Sequence, residues 1–295
     1  MKSVVYCVKS VYTRERKENT ENMETVKERT DRNHQEDLER IKGFCLMDDE
    51  FMTKCFEGDT KAMELVLRIV MDITDLKVLE VRTQVFVENL LNRSVRLDIL
   101  ATDSSERKIN VEIQRSDKGA GRKRARYNSS MMDVNLLKKG EEFDTLPETW
   151  VIFITENDVL GQGKPLYRIE RCILGTGEGL FGDGAHILYV NGAYRDETPL
   201  GRLMHDFACT EPDKMHYKVL ADRVRFFKES REGVVTMSRV LEEMRYKSMQ
   251  EGIKEGRKEM VVRMLQTGKL TVEEIAEYSG LGIEEVEQLA GLQKV

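Results

Sequence analysis

The sequence predicts an α/β protein whose mixed central sheet is flanked by helices, in the order α-β-β-β-α-β, followed by a helical C-terminal extension. Three observations predict it. Between Asp59 and Ile73 the apolar residues Ala62, Leu65, Val66, Ile69, Val70 and Ile73 recur at helical spacing. Three runs rich in β-branched residues then follow one another, Val78 to Val87, Val95 to Ala101 and Lys108 to Arg115. Finally, Trp150 to Thr155 is an unbroken apolar run of strand length, the pattern of a strand covered on both faces.

From Arg14 to Asp37 only Met23 and Val26 are apolar, so this stretch is expected to stay disordered or form a fraying helix, within a disordered, charged tail of residues 1–42. Order is expected to begin near Gly43 to Phe56, and Asp59 or Thr60 supplies the N-cap of the first core helix. The polar stretch Thr102 to Arg107 joins the second and third strands. Gly119-Ala120-Gly121 opens a second helix with Ala125, Ser129, Met132 and Leu136 on one stripe and Gly140 as its C-cap.

Tyr167 to Leu174 and His186 to Val190 read as further strands separated by a glycine-rich loop, and Lys218 to Arg231 as a helix. The core domain is therefore expected to span residues 43–231 and an accessory segment residues 232–295. That segment starts with a long charged helix, Arg239 to Gln266, carrying Glu-Gly repeats. Thr271-x-x-Glu274 is a capping box, Gly280 a turn and Ile283 to Leu289 a last short helix.

Composition excludes several classes of function. The chain has 295 residues, 40% apolar and 34% charged, with a formal net charge of -6, so any nucleic-acid site must be local. Lys9 interrupts the apolar run Val4 to Val8, no segment is apolar enough to span a membrane, and a cytoplasmic location is expected. Five scattered cysteines without a Cys-x-x-Cys pair indicate neither a disulfide framework nor a zinc knuckle. His34, His186, His205 and His216 form no His-Glu-x-x-His helix and are read as structural.

The chemistry lies in the second and third strands. Val95, Leu97, Ile99 and Ala101 alternate with Arg96 and Asp98, and Ile109, Val111 and Ile113 alternate with Asn110, Glu112 and Gln114. Pairing the two strands with their apolar sets together puts Asp98, Glu112 and Gln114 on one opposite face. Two converging carboxylates need arginines or a hard divalent cation, and magnesium suits oxygen donors. Directly after Gln114, Arg115, Lys118, Arg122, Lys123, Arg124 and Arg126 stand against Asp117 alone, a local cationic surface for a phosphate backbone. Tyr127 shares a helical face with Arg124. The six acids and no base between Thr271 and Ala290 argue against a DNA-reading helix there.

This arrangement resembles the PD-(D/E)XK nuclease superfamily, in particular its Rpn-type branch of recombination-promoting nucleases and transposase-related proteins. Arg96-Leu97-Asp98 stands where that family carries its Asp motif, and Asn110-Val111-Glu112-Ile113-Gln114 where it carries a Glu-x-Gln version of the (D/E)XK motif. Arg124-Ala125-Arg126-Tyr127 stands where it carries an Arg/Tyr helix.

The resemblance implies a restriction-endonuclease-like core that hydrolyses DNA with Mg2+, linked to recombination or mobile elements. Asp98 and Glu112 would be metal ligands with the Ile113 carbonyl as a third. Gln114 takes the place usually held by lysine, and Glu64 the place where some members carry an additional acid. Arg96, Arg115, Arg122, Arg124, Arg126 and Tyr127 would contact DNA. A catalytically silent relative that binds DNA or protein is the alternative, and the C-terminal helices are expected to support a homodimer.

Overall fold

The computed structural model describes residues 35–89, 93–115, 117–175 and 179–292, with the side chains of 117, 118 and 292 also outside the description. Most of the expected tail lies outside these residues. At its end, residues 35–43 form a helix, α1, which buries Asp37 and Ile41.

Two helices come next, α2 (Asp49–Phe56) and α3 (Thr60–Met71). Asp59 caps α3 by accepting from the Ala62 N–H at 3.0 Å. Asp72, in the left-handed region at φ 56°, ends it. Strands β1 (Val78–Val87), β2 (Val95–Asp103) and β3 (Lys108–Gln114) form the antiparallel meander.

The β2–β3 turn is tighter than expected. Buried Asp103 Oδ1 accepts the N–H groups of Ser105 and Arg107, both at 3.0 Å, and Arg107 closes an ion pair on Oδ2 at 2.6 Å.

Helix α4 (Arg122–Leu136) then crosses to β4 (Thr149–Thr155), which runs parallel to β3. It stops at Leu136, with Leu137 as its C-cap residue. Gly140, expected as the cap, uses its φ of 91° in the turn beyond. All seven residues of β4 are buried, as its apolar run predicts.

Strands β5 (Leu166–Ile169) and β8 (Ala185–Asn191) complete a six-stranded mixed sheet in the order β1-β2-β3-β4-β8-β5. The glycine-rich stretch is not a plain loop: β6 (Cys172–Ile173) and β7 (Gly179–Leu180) pair there as a small ribbon.

Both faces of the sheet are covered. On one, Ala125 and Met132 of α4 pack with Val151, Phe153 and Tyr189. The alternate set Ile99, Ile109, Val111, Ile152 and Ile154 is equally buried, and α2 and α3 lie against β1.

Two further helices, α5 (Pro199–Ala208) and α6 (Lys218–Glu229), pack against α3. Helix α5 escaped the sequence reading although Thr198 and Pro199 form a standard start, with the Thr198 hydroxyl accepting from Gly201 N–H at 3.1 Å. Buried Lys228 of α6 donates to the carbonyls of Lys42, Phe44 and Thr210, which ties the end of α1 to this layer.

The chain divides into a unit ending at Met237 and a second from Ser238, and the division falls inside the long helix α7 (Arg231–Thr267). In the second unit α8 (Val272–Ser279) starts with the expected capping box and ends at Gly280 in the left-handed region. Helix α9 (Ile283–Leu292) follows, and Val261, Ile275, Ala276 and Val286 form a small core. Among the described residues no helix is long and apolar enough to cross a membrane.

Candidate active site

The site is made by two strands that part company. Strand β2 lies between β1 and β3, but its pairing with β3 ends at Ile99 opposite Val111, whereas pairing with β1 continues to Val95 opposite Val87. Asp98 and Glu112 are the next residues in line on the two sides of this opening. Asp98 Oδ2 accepts from the Ile113 N–H at 3.2 Å and the Gln114 Nε2 at 3.3 Å, so a carboxylate replaces the missing ladder carbonyl.

Glu112 is 0% exposed and Asp98 7%. Arg124 of α4 donates to Glu112 Oε2 at 2.8 Å, and Asn110 Nδ2 to Oε1 at 3.1 Å. Gln114, from the same strand face, rests on Gly119, where a Cβ would stand 1.9 Å from its Oε1.

A third acid faces the same cleft from an element that the sequence pattern did not point to. Asp49, in the first turn of α2, lines the same cleft as Asp98 and Gln114. It is held by Gln84 of β1, whose Nε2 donates to Asp49 Oδ1 and to Thr53 Oγ1, both at 3.1 Å. Gln84 occupies the β1 position next to Asp98, where the strand pairing is interrupted, with φ of 52°. A non-glycine residue in the left-handed region within a strand is strained, and here the strain turns the amide toward α2.

The acids repel one another. Burial above all, then Glu112 and Asp49, raises the Asp98 pKa to about 7. Burial also raises Glu112, while Arg124 and Asn110 favour its charged form. An all-oxygen donor set that is short of positive charge fits a hard divalent cation. A leftover acceptor agrees with this: Asn110 Oδ1, on the same strand face two residues from Glu112, is buried with no hydrogen-bond partner among the described residues.

The cleft, about 1050 Å³, is walled by Arg93, Arg96, Lys123, Arg124, Arg126 and Tyr127. Tyr127 donates its hydroxyl to the Arg93 carbonyl at 2.5 Å, which closes one rim. Asn128, buried one turn after Arg124, also lines it and leaves its Nδ2 without a partner among the described residues.

The structure thus brings together Asp98, Glu112, Gln114, Arg96, Arg124, Arg126 and Tyr127 of the sequence-predicted set. It does not bring Glu64 there. That carboxylate accepts from Val78 N–H at 3.1 Å and pairs with Arg68 at 2.7 Å, fastening α3 to the start of β1. Arg115 turns to Asp48 at 3.0 Å and Cys45 at 3.2 Å, and Arg122 lines a separate, mostly apolar pocket. Sequence reasoning missed Asp49, Gln84 and Arg93. The Asp-Asp pair at the head of α2 was a visible signal for the first; nothing local marked the other two.

Residues 61–191 match the family model described as PD-(D/E)XK nuclease family transposase. The match supports a nuclease- or transposase-like function for this part of the chain, and nucleases of this type generally use divalent metal ions. No curated protein and no solved structure matches the chain.

Proposed function

We propose that this PD-(D/E)XK-type domain is a magnesium-dependent DNA endonuclease linked to recombination or mobile elements. One observation carries the reading: Asp98 and Glu112 sit side by side where β2 and β3 part, at a cleft walled by cationic side chains. In this reading Asp98, Glu112 and the Ile113 carbonyl hold the ion, and Asp49 adds a third carboxylate from α2. A divalent ion at that place would polarise the scissile phosphate and lower the pKa of a bound water.

The remaining work falls to the protein. Arg93, Arg96, Lys123 and Arg126 grip backbone phosphates and fix the register of the duplex. Arg124, released from Glu112 when that carboxylate takes up a cation, neutralises charge building on the leaving oxygen. Gln114 orients water as an amide without adding charge, a role that lysine usually fills with both.

Nicking of supercoiled plasmid in Mg2+ and its absence in EDTA tests the reading. Asp98→Asn and Glu112→Gln should each abolish nicking while the variants keep the wild-type circular dichroism spectrum. A D98N protein that cuts as fast as wild type would remove the assignment.

Gln114 supports a second reading, because its amide nitrogen is already engaged with Asp98 and glutamine, not lysine, stands two residues after Glu112. A binding-only relative would hold DNA equally well in EDTA and never nick it.

The second unit is proposed to join two copies. Tyr246, Met249, Ile253 and Met260 lie exposed on α7 at spacings of one helical face, and space beside Gly252 and Gly256 is open. Light scattering that finds a monomer at all concentrations would exclude this.

A further inference from the structure

The turn between α5 and α6 gathers two imidazoles and a carboxylate that the nuclease reading leaves unused. Ligand atoms of His205, Asp206 and His216 all lie within 4.8 Å of one another. Asp206 is 0% exposed, yet this buried acid has no lysine or arginine partner among the described residues. Two backbone groups hold it instead: the His216 N–H donates to Oδ1 and the Tyr217 N–H to Oδ2, each at 2.8 Å. The carboxylate therefore pins the two residues just before α6 and is fixed in orientation before any ligand arrives, as an outer shell fixes a metal-binding group. His205 Nδ1 lies 3.2 Å from Asp206 Oδ1, and the two histidine rings meet edge to face with centroids 4.7 Å apart.

We propose that His205, Asp206 and His216 bind a divalent transition metal ion, zinc in type, which clips the end of α5 to the start of α6. Two imidazole nitrogens and one carboxylate oxygen are the donor set of open zinc sites, with water completing the tetrahedron. Bonds of about 2.0–2.1 Å in a tetrahedron separate neighbouring donors by about 3.3 Å, which the His205–Asp206 spacing already meets. Exposed His216 closes the remaining distance by rotating its ring, since its backbone is already pinned by Asp206. Nitrogen donors distinguish this site from the all-oxygen group at Asp98, because imidazole suits zinc, copper and nickel whereas carboxylates suit magnesium. The cluster was invisible to motif reading, since its histidines come from the end of one helix and the loop before the next.

The test uses the full chain, stripped with chelator and dialysed against Zn2+ with Mg2+ in large excess, so that the carboxylate centre is filled by magnesium. Metal analysis should find one zinc per chain, and isothermal titration with Zn2+ should give one site of micromolar affinity or tighter. His205→Ala and His216→Ala should each weaken it at least tenfold, and Asp98→Asn should leave it unchanged. Both histidines are solvent-accessible, so these variants should melt with the metal-free wild type. Zinc should raise the melting temperature of the wild type and not of either histidine variant. No retained zinc, or zinc retained equally by both histidine variants, would reduce the cluster to a backbone anchor before α6; zinc lost only with Asp98→Asn would move the ion to the carboxylate centre and overturn the proposal.

Discussion

At the scale of single residues, the site is defined by charge that the fold alone does not neutralise. Asp98 ionises near pH 3.8 in an ordinary setting and at about 7 here, with burial as the first cause and Glu112 as the second. Between those values the folded chain holds a proton that the unfolded chain has lost, so stability falls as pH rises through the window. Ion-free protein should therefore melt lower at pH 8 than at pH 5.5 at this residue's expense, and Asp98→Asn should flatten that part of the profile. Differential scanning in EDTA checks it, and a wild-type profile that D98N leaves unaltered would show that Asp98 carries no such strain.

Gly119 offers a second residue-scale test, because a methyl group there collides with the Gln114 amide and not with backbone. Gly119→Ala should displace Gln114 from Asp98 at little cost in stability. Nicking should drop about tenfold, the equivalent of one positioned hydrogen bond of about 1.4 kcal/mol. Combining it with Gln114→Ala should add nothing further, since both changes remove the same contact. Additive losses would mean that Gly119 acts elsewhere.

At the scale of elements, alternation in two strands was enough to place Asp98, Glu112 and Gln114, because side-chain direction in a strand is a local property with period two. What brings Asp49 to them is not local: a helix docks across β1, and Gln84 makes the link over 35 residues of sequence. Glu64 sat on a correctly read helix, but helical spacing says nothing of which way that helix turns its acid, and Arg68 and the Val78 N–H claimed it. The same limit applied to Arg115, whose place after β3 looked cationic until Asp48 paired with it. Glycine signals were legible only to within a turn, since Gly140 serves the loop after α4 and not its end.

The β2–β3 turn is where an element-level prediction is sharpest. Asp103 is 0% exposed, satisfies two backbone N–H groups and pairs with Arg107, whose side chain is 15% exposed. Asp103→Ala leaves those donors and a nearly buried guanidinium without an acceptor, and should cost about 3 kcal/mol in urea melts. It should also lower nicking only in proportion to unfolding, because the turn is at the far end of β2 from Asp98. A stability loss below about 0.5 kcal/mol would mean that the turn is held by its strands alone.

Across the whole molecule the decisive feature is an opposition of fields. The chain carries a net charge of -6, so its net charge does not attract a duplex, while one cleft concentrates Arg93, Arg96, Lys123, Arg124 and Arg126. Association must then be local and steeply salt-dependent. If the four cations other than Arg124, which is engaged with Glu112, each displace a condensed counterion, log K should fall with log salt at a slope of about -4. Fluorescence anisotropy with a labelled duplex, measured on D98N protein to prevent cutting, gives the slope directly. Lys123→Ala and Arg126→Ala should each reduce its magnitude by about 1 and weaken binding uniformly across sequences, since phosphate contacts position without reading bases. Arg115→Ala and Arg122→Ala, which remove cations turned away from the cleft, should leave the slope where it was. This contrast separates a built groove from a merely basic stretch of sequence: if all four variants shift the slope alike, duplexes are held by diffuse charge, and the cleft at the parting of β2 and β3 is not where DNA lies.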